Sequence, residues 1–160
     1  MLPPAIALFS RILKDDGFKV ALFDTTYYKI GEDFDSDKEK EKKLSVRPFD
    51  MSRHVSLKTT DPFEDLDKTV NSFQPDLVAM SATEDIFALG LKLLKQIDKH
   101  NILTIVGGVF PTFAPHKVIL NKEIDIVWVG EGDDAMLDLW RRIRAGKDYS
   151  NINNLWVKDK

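Results

Sequence analysis

The sequence predicts a single open α/β domain with a parallel sheet and helices on both faces. Short apolar segments typical of strands alternate along the chain with amphipathic segments typical of helices. The strand candidates are continuous apolar runs, as expected of strands covered on both faces. A length of 160 residues with 43% hydrophobic content suits one domain with a proper core. Strand and helix alternation implies parallel pairing through right-handed crossovers.

Composition excludes several classes of function. A net charge of -3 and the absence of a recognisable motif argue against a nucleic-acid partner. No apolar run is long enough for a membrane span, and no basic segment precedes an apolar one at the start, so we expect a cytoplasmic protein without membrane contact. With no cysteine, these residues cannot supply a thiolate zinc site, a cysteine nucleophile or the ligands of an iron–sulfur cluster.

The first part of the chain predicts a helix, a strand and a loop. Residues 5–16 have helical apolar spacing and stop at Gly17, a natural helix end. Residues 18–24 are apolar and rich in strand formers, which predicts a buried strand. Residues from about 25 to 60 carry a run of mixed charges without apolar periodicity, which predicts a charged, mobile loop.

The remainder predicts regular alternation of helices and strands. Asp61 is a helix cap with Pro62 at the first helical position, and Pro75 ends that helix. Thr83 is a candidate cap for the next helix. The strands are predicted at 76–80, 103–106, 124–129 and 154–157, and the other helices at 84–100, 115–120 and 134–145.

Three of these strands run directly into loops of small or hydroxyl-bearing residues. In open α/β sheets, ligands bind at the carboxyl ends of the strands, where such loops meet helix amino termini. Residues without side chains let a ligand approach the backbone, and hydroxyl groups can bond to amides or a phosphate. The candidate cofactor-binding residues are Ser81, Ala82, Thr83, Gly107, Gly108, Val109, Phe110, Pro111, Thr112, Gly130, Glu131 and Gly132.

The order and spacing of these segments resemble the cobalamin (vitamin B12)-binding domain of radical S-adenosylmethionine enzymes. The match includes Pro3-Pro4, residues 17–24, 75–83, 105–112 and 125–133, and so nearly the whole chain, taken as one domain over residues 1–160. The resemblance implies a Rossmann-like (flavodoxin-like) fold that binds cobalamin over its carboxyl edge. The nucleotide tail would enter between the loops, and the corrin would face a separate catalytic domain.

The resemblance implies roles for individual residues. Ser81 and Thr83 match a serine loop near the nucleotide tail, Gly107 and Gly108 a glycine pair beside it, and residues 130–132 the family's Gly-Glu-Gly turn. Two departures stand out. Asp133 replaces the usual glutamate after that turn, and the strand that normally precedes Pro3-Pro4 is not present, so the resemblance implies that the first, central strand is missing.

The function implied is that of a cofactor module within a larger enzyme. It would bind cobalamin for methyl transfer or related radical chemistry without being catalytic alone. S-adenosylmethionine and the iron–sulfur cluster would belong to a partner catalytic domain, since the three-cysteine motif is absent. The alternatives are a ligand-free docking or regulatory domain of the same fold, and a flavodoxin or receiver domain. The sequence lacks the phosphate loop or acidic cluster that the last two need.

The histidines are not predicted to bind metal. His100 follows Asp98 but lacks the glycine of a cobalt-ligating motif, and it ends a helix at the opposite edge of the sheet. His116 follows the glycine loop and is expected to lie exposed at the start of a helix, with a position near the ligand as the alternative. We therefore predict no metal ligand and no catalytic residue in this chain.

Overall fold

A computed structural model describes residues 4–29, 40–45, 47 and 54–158 of the chain. In these ranges the strands are β1 (Leu77–Ser81), β2 (Leu103–Gly107), β3 (Ile126–Trp128) and β4 (Leu155–Val157). The helices are α1 (Pro4–Asp15), α2 (Pro62–Phe73), α3 (Glu84–Ile97), α4 (Val109–Phe113), α5 (Pro115–Ile119) and α6 (Asp133–Arg144), with a 3₁₀ turn at Asp98–His100 after α3.

The strands form one sheet in the order β1-β2-β3-β4. β1 pairs parallel with β2, and β2 pairs parallel with β3, which confirms the predicted α/β class. β4 is antiparallel to β3, so the expectation of uniform parallel pairing was wrong for the last strand. The reason is the path of the chain after α6. It returns to the carboxyl edge, with Ile152 buried on the way, and reverses at Asn154, whose φ is 68°. β4 therefore starts at the edge where β3 ends.

Helices cover both faces of the sheet, as predicted. On one face α1 and α6 pack through Leu13 and Leu139 against Ile105 and Ile126. On the other face lie α2 to α5, and the buried members of that core are Leu66, Val70, Ala82, Leu89, Leu93, Leu94, Ile97, Val106, Val118, Ile124 and Val127. Alternate residues of each central strand serve opposite cores, which explains why these strands read as continuous apolar runs.

The strand predicted at residues 18–24 does not form. This segment follows α1 without joining the sheet, although Phe18 and Val20 pack toward one core and Phe23 toward the other. Its side chains thus alternate as a strand's would, while its backbone has no neighbouring strand to bond with. Within the described residues, β1 is correspondingly an edge strand.

Much of the predicted charged loop, including residues 30–39, lies outside the described residues. Its two ends are held together in the structure. Tyr28 is buried, forms an isolated bridge with Lys58, and donates a hydrogen bond from its hydroxyl to Asp65 of α2 over 3.1 Å. Residues 40–42 form a helical turn. The expectation of an irregular segment therefore overlooked the anchor at Tyr28.

The helices agree with those predicted from the sequence, except for the cap at Thr83 and the presence of α4. The Asp61 carboxylate accepts bonds from the N–H groups of Phe63 and Glu64 at 2.7 and 3.3 Å, which confirms the predicted cap. Thr83 occupies the cap position of α3 but its side chain makes no capping bond. The structure has the short helix α4 where the sequence predicted a loop. Among the described residues, no helix has the length and apolarity needed to cross a membrane.

Candidate functional site

The three predicted loops lie together at the carboxyl edge, where β1, β2 and β3 end side by side. Backbone hydrogen bonds join the first loop to the second. The Ala82 N–H donates to the Gly107 carbonyl over 2.9 Å, and the Phe110 N–H donates to the Ala82 carbonyl over 3.3 Å. The loops after β1 and β2 therefore form one bonded unit rather than two separate turns.

The Thr112 side chain joins the second loop to the third. Its hydroxyl donates to the Gly108 carbonyl over 2.8 Å and accepts from the Gly130 N–H over 3.0 Å. Asn154 supports the third loop by donating its side-chain amide to the Glu131 carbonyl over 3.1 Å. Thr112 was expected to offer its hydroxyl to a ligand, whereas in this structure the hydroxyl connects two loops.

Replacement of Thr112 by valine should destabilise the chain by about 0.5–1.5 kcal/mol, because the Gly130 N–H loses its acceptor while the Gly108 carbonyl keeps only its bond from the backbone N–H of residue 112. The measurement is urea unfolding followed by circular dichroism. Thr83→Val is the matched control, since the Thr83 side chain makes no capping bond and is exposed. Equal stability of the two variants would show that the Thr112 bridge contributes nothing.

The candidate residues differ in how far they reach solvent. Exposed positions are Ser81, Thr83, Gly108, Val109, Gly130 and Glu131, half-buried ones are Gly107, Phe110 and Thr112, and buried ones are Ala82, Pro111 and Gly132. Phe110 turns inward and its ring packs on Phe87 of α3, with centroids 4.9 Å apart. The exposed part of the edge thus consists largely of small and polar residues, while Pro111 is buried and Phe110 half-buried.

The structure gives a reason, not evident from the sequence, for glycine at both positions 107 and 108. A Cβ on Gly108 would lie 2.8 Å from the Ala82 carbonyl oxygen, and the Gly108 φ of 110° is one that other residues rarely adopt. A Cβ on Gly107 would lie 3.3 Å from the Cβ of Trp128. Both glycines therefore permit the close approach of neighbouring parts of the protein, in addition to any role toward a ligand.

An exposed apolar pair adjoins the loops. Val109 and Phe113 lie four residues apart on α4, hence on one face of the helix, and are 61% and 83% exposed. Sequence analysis included Val109 but missed Phe113. Phe113 could have been found from the sequence, because it lies four residues after Val109, which directly follows the glycine pair. Together they give the edge an apolar rim.

His100 lies away from this edge, as expected. His100 is in the 3₁₀ turn that follows α3, and its ring nitrogen lies 2.8 Å from the Asp67 carboxylate of α2. This hydrogen bond, with a further one from Lys99, lowers the pKa of Asp67 below its ordinary value. His116 is exposed on α5, as predicted. The Asp67 and His100 pair is a contact between helices and not part of the candidate site.

A concave surface exists elsewhere on the molecule. A depression of about 370 Å³ lies at the carboxyl end of α6, lined by Asp138, Arg141, Arg142, Ala145, Lys147 and Asp148. Within this lining, the Arg142 guanidinium bonds to the Asp138 carboxylate and also to Asn151. This depression includes none of the candidate site residues.

Comparison with known proteins agrees with this architecture. A methyltransferase of uncharacterised function, PH0819 from Pyrococcus horikoshii, is 29% identical over 102 residues, which are 61% of this chain and 22% of that protein. The radical S-adenosylmethionine methyltransferase TsrM from Kitasatospora setae has the same fold, with a TM-score of 0.71 at 16% identity, in each of two structures. One holds its tryptophan substrate and an S-adenosylmethionine analogue, and the other holds cobalamin and a [4Fe-4S] cluster. All of this chain aligns with 26% or 27% of TsrM, so it spans about a quarter of these proteins.

The family comparison confirms the resemblance found in the sequence. The model of the B12 binding domain matches residues 1–139 and so includes all three loops of the carboxyl edge. This is most of the 160-residue chain. The chain is a member of the B12 binding domain family.

Proposed function

We propose that this chain binds cobalamin over its carboxyl edge as the cofactor module of a radical S-adenosylmethionine methyltransferase. The observation that carries the proposal is the bonded unit of three loops at the end of β1, β2 and β3, in a chain that belongs to the B12 binding domain family. Cobalamin supplies a cobalt ion that can carry a methyl group, and the protein contributes binding and orientation.

The residues at the edge fit such a ligand. A corrin is a broad, flat ring with amide groups around its rim, and it needs a level surface with both apolar and polar contacts. Backbone and small side chains provide the level surface, Ser81 and Thr83 provide exposed hydroxyl groups, and Val109 and Phe113 provide apolar contact. The residues that would hold the cofactor are thus those of the three loops together with Phe113.

The radical chemistry belongs to a partner domain in this proposal. These 160 residues contain no cysteine and cannot supply thiolate ligands to an iron–sulfur cluster. S-adenosylmethionine and the cluster would therefore be held by a catalytic domain facing the corrin. The similarity to two methyltransferases favours methyl transfer as the reaction class.

The test is uptake of hydroxocobalamin by the purified chain. After mixing and desalting, we expect the protein fraction to retain corrin absorbance at about one equivalent. A protein fraction free of corrin under conditions where the chain is folded would contradict the proposal and favour the ligand-free docking domain.

A pair of variants localises the site. Phe113→Asp should weaken uptake roughly tenfold, because a charge would then face the apolar part of the ligand. Leu120→Asp is the matched control: Leu120 is 81% exposed against 83% for Phe113, but it ends α5 away from the carboxyl edge. Equal weakening in both variants would place the ligand elsewhere.

A further inference from the structure

One buried donor at the carboxyl edge has no partner. Trp128, the last residue of β3, is only 4% exposed, and its indole N–H is buried without a hydrogen-bond partner. Buried polar groups are nearly always bonded, so an unpaired one in a candidate site calls for an explanation. It is the single such side-chain atom found in the described part of the chain.

The surroundings of Trp128 fix its position. Its ring stacks on Phe9 of α1 with centroids 5.4 Å apart and planes inclined by 26°. Gly132 also packs against the ring: a Cβ there would coincide with the Trp128 atoms Cζ2, Cε2 and Nε1. The part of the indole that carries the N–H therefore lies against Gly132, in the Gly-Glu-Gly turn of the candidate site.

The turn beside the N–H is held at Gly130 by Thr112 and at Glu131 by Asn154, whereas no side chain anchors Gly132. Gly132 has no side chain, and Gly130 has a φ of 78° with no atom near the place its Cβ would take. A small shift of this turn would bring the indole N–H to the ligand side. The turn also begins α6, a twelve-residue helix whose cap residue, Gly132, offers no side-chain bond.

We infer that the Trp128 N–H donates a hydrogen bond to the bound cofactor, and that the acceptor is a neutral amide carbonyl oxygen on the rim of the corrin. This inference rests on the proposed function. The exposed carboxylate of Glu131 in this turn disfavours a phosphate at this place, whereas a neutral oxygen is compatible with it. The bond would satisfy the donor that the structure leaves unpaired.

The affinity test uses Trp128→Phe and hydroxocobalamin. Loss of one hydrogen bond between neutral groups should weaken binding three- to tenfold. Trp140→Phe is the matched control, because it makes the same change in a residue whose N–H already bonds to the Met136 sulfur over 3.2 Å, and it should bind like the parent. Unchanged affinity of Trp128→Phe would overturn the inference and leave the proposed function standing. A parent chain that takes up no corrin would overturn both.

A second measurement needs no substitution. In the ¹⁵N-labelled parent, the Trp128 indole N–H resonance should move downfield when hydroxocobalamin binds, while that of Trp156 on β4 should stay in place. An unmoved Trp128 resonance in the bound form would overturn the inference.

Dicyanocobinamide, which lacks the nucleotide tail, tests the acceptor. The weakening by Trp128→Phe should persist with this ligand if the acceptor is a corrin amide. Its disappearance would overturn that assignment and place the acceptor on the nucleotide tail.

Discussion

The Gly108→Ala variant should lose about 3 kcal/mol of unfolding free energy and bind hydroxocobalamin roughly tenfold more weakly. Gly108 has φ 110° and ψ -168°, a backbone conformation essentially restricted to glycine. The added Cβ would also lie 2.8 Å from the backbone oxygen of Ala82. Because Ala82 belongs to the first loop, relief of this contact would separate the loops that form the edge.

The control for Gly108→Ala is Gly17→Ala. Gly17 also has a positive φ, of 82°, but open space surrounds the position of its Cβ. This control should lose only about 1–2 kcal/mol, the cost of the left-handed backbone alone, and should leave cobalamin affinity unchanged. Chemical denaturation measures the first effect and corrin absorbance the second. If both variants lost the same stability, the contact with Ala82 would have no energetic weight.

The fold was largely predictable because helix spacing and apolar runs are local signals. The cap at Asp61 and the buried run at 124–129 could be read directly. Residues 18–24 have the same local signal but form no strand, because a strand also needs a neighbour to bond with. β4 shows a second limit: its direction depends on how residues after α6 return across the molecule, and no local pattern specifies that path.

The meeting of the three candidate loops at one edge was predictable, but the bonds between them were not. Strand ends and family resemblance were enough to place three loops at one edge. They could not show that the Thr112 hydroxyl is used between Gly108 and Gly130, because this depends on the distance between two loops distant in sequence. For the same reason no sequence pattern indicated that the Trp128 ring packs against Gly132. Contacts between loops follow from the assembled sheet.

The Leu139→Ala variant should lose about 2–5 kcal/mol, because its side chain is completely buried and truncation leaves a cavity. Leu139 is in the middle of α6 and packs in the same core as Trp128 and Met136. Leu120→Ala, at an 81% exposed position, is the control and should change stability by no more than about 0.5 kcal/mol. Thermal unfolding with calorimetry compares them, and equal midpoints would contradict the assigned core.

Ligand linkage separates a stability role of Leu139 from a binding role. Leu139 lies in the core away from the three loops, so its truncation should leave the affinity of the folded chain nearly unchanged. Hydroxocobalamin at about 100 times its dissociation constant should then stabilise Leu139→Ala and the parent by the same ~2.7 kcal/mol. A much smaller gain in the variant would mean that the cavity reaches the carboxyl edge through α6, and that the core and the binding surface are mechanically coupled.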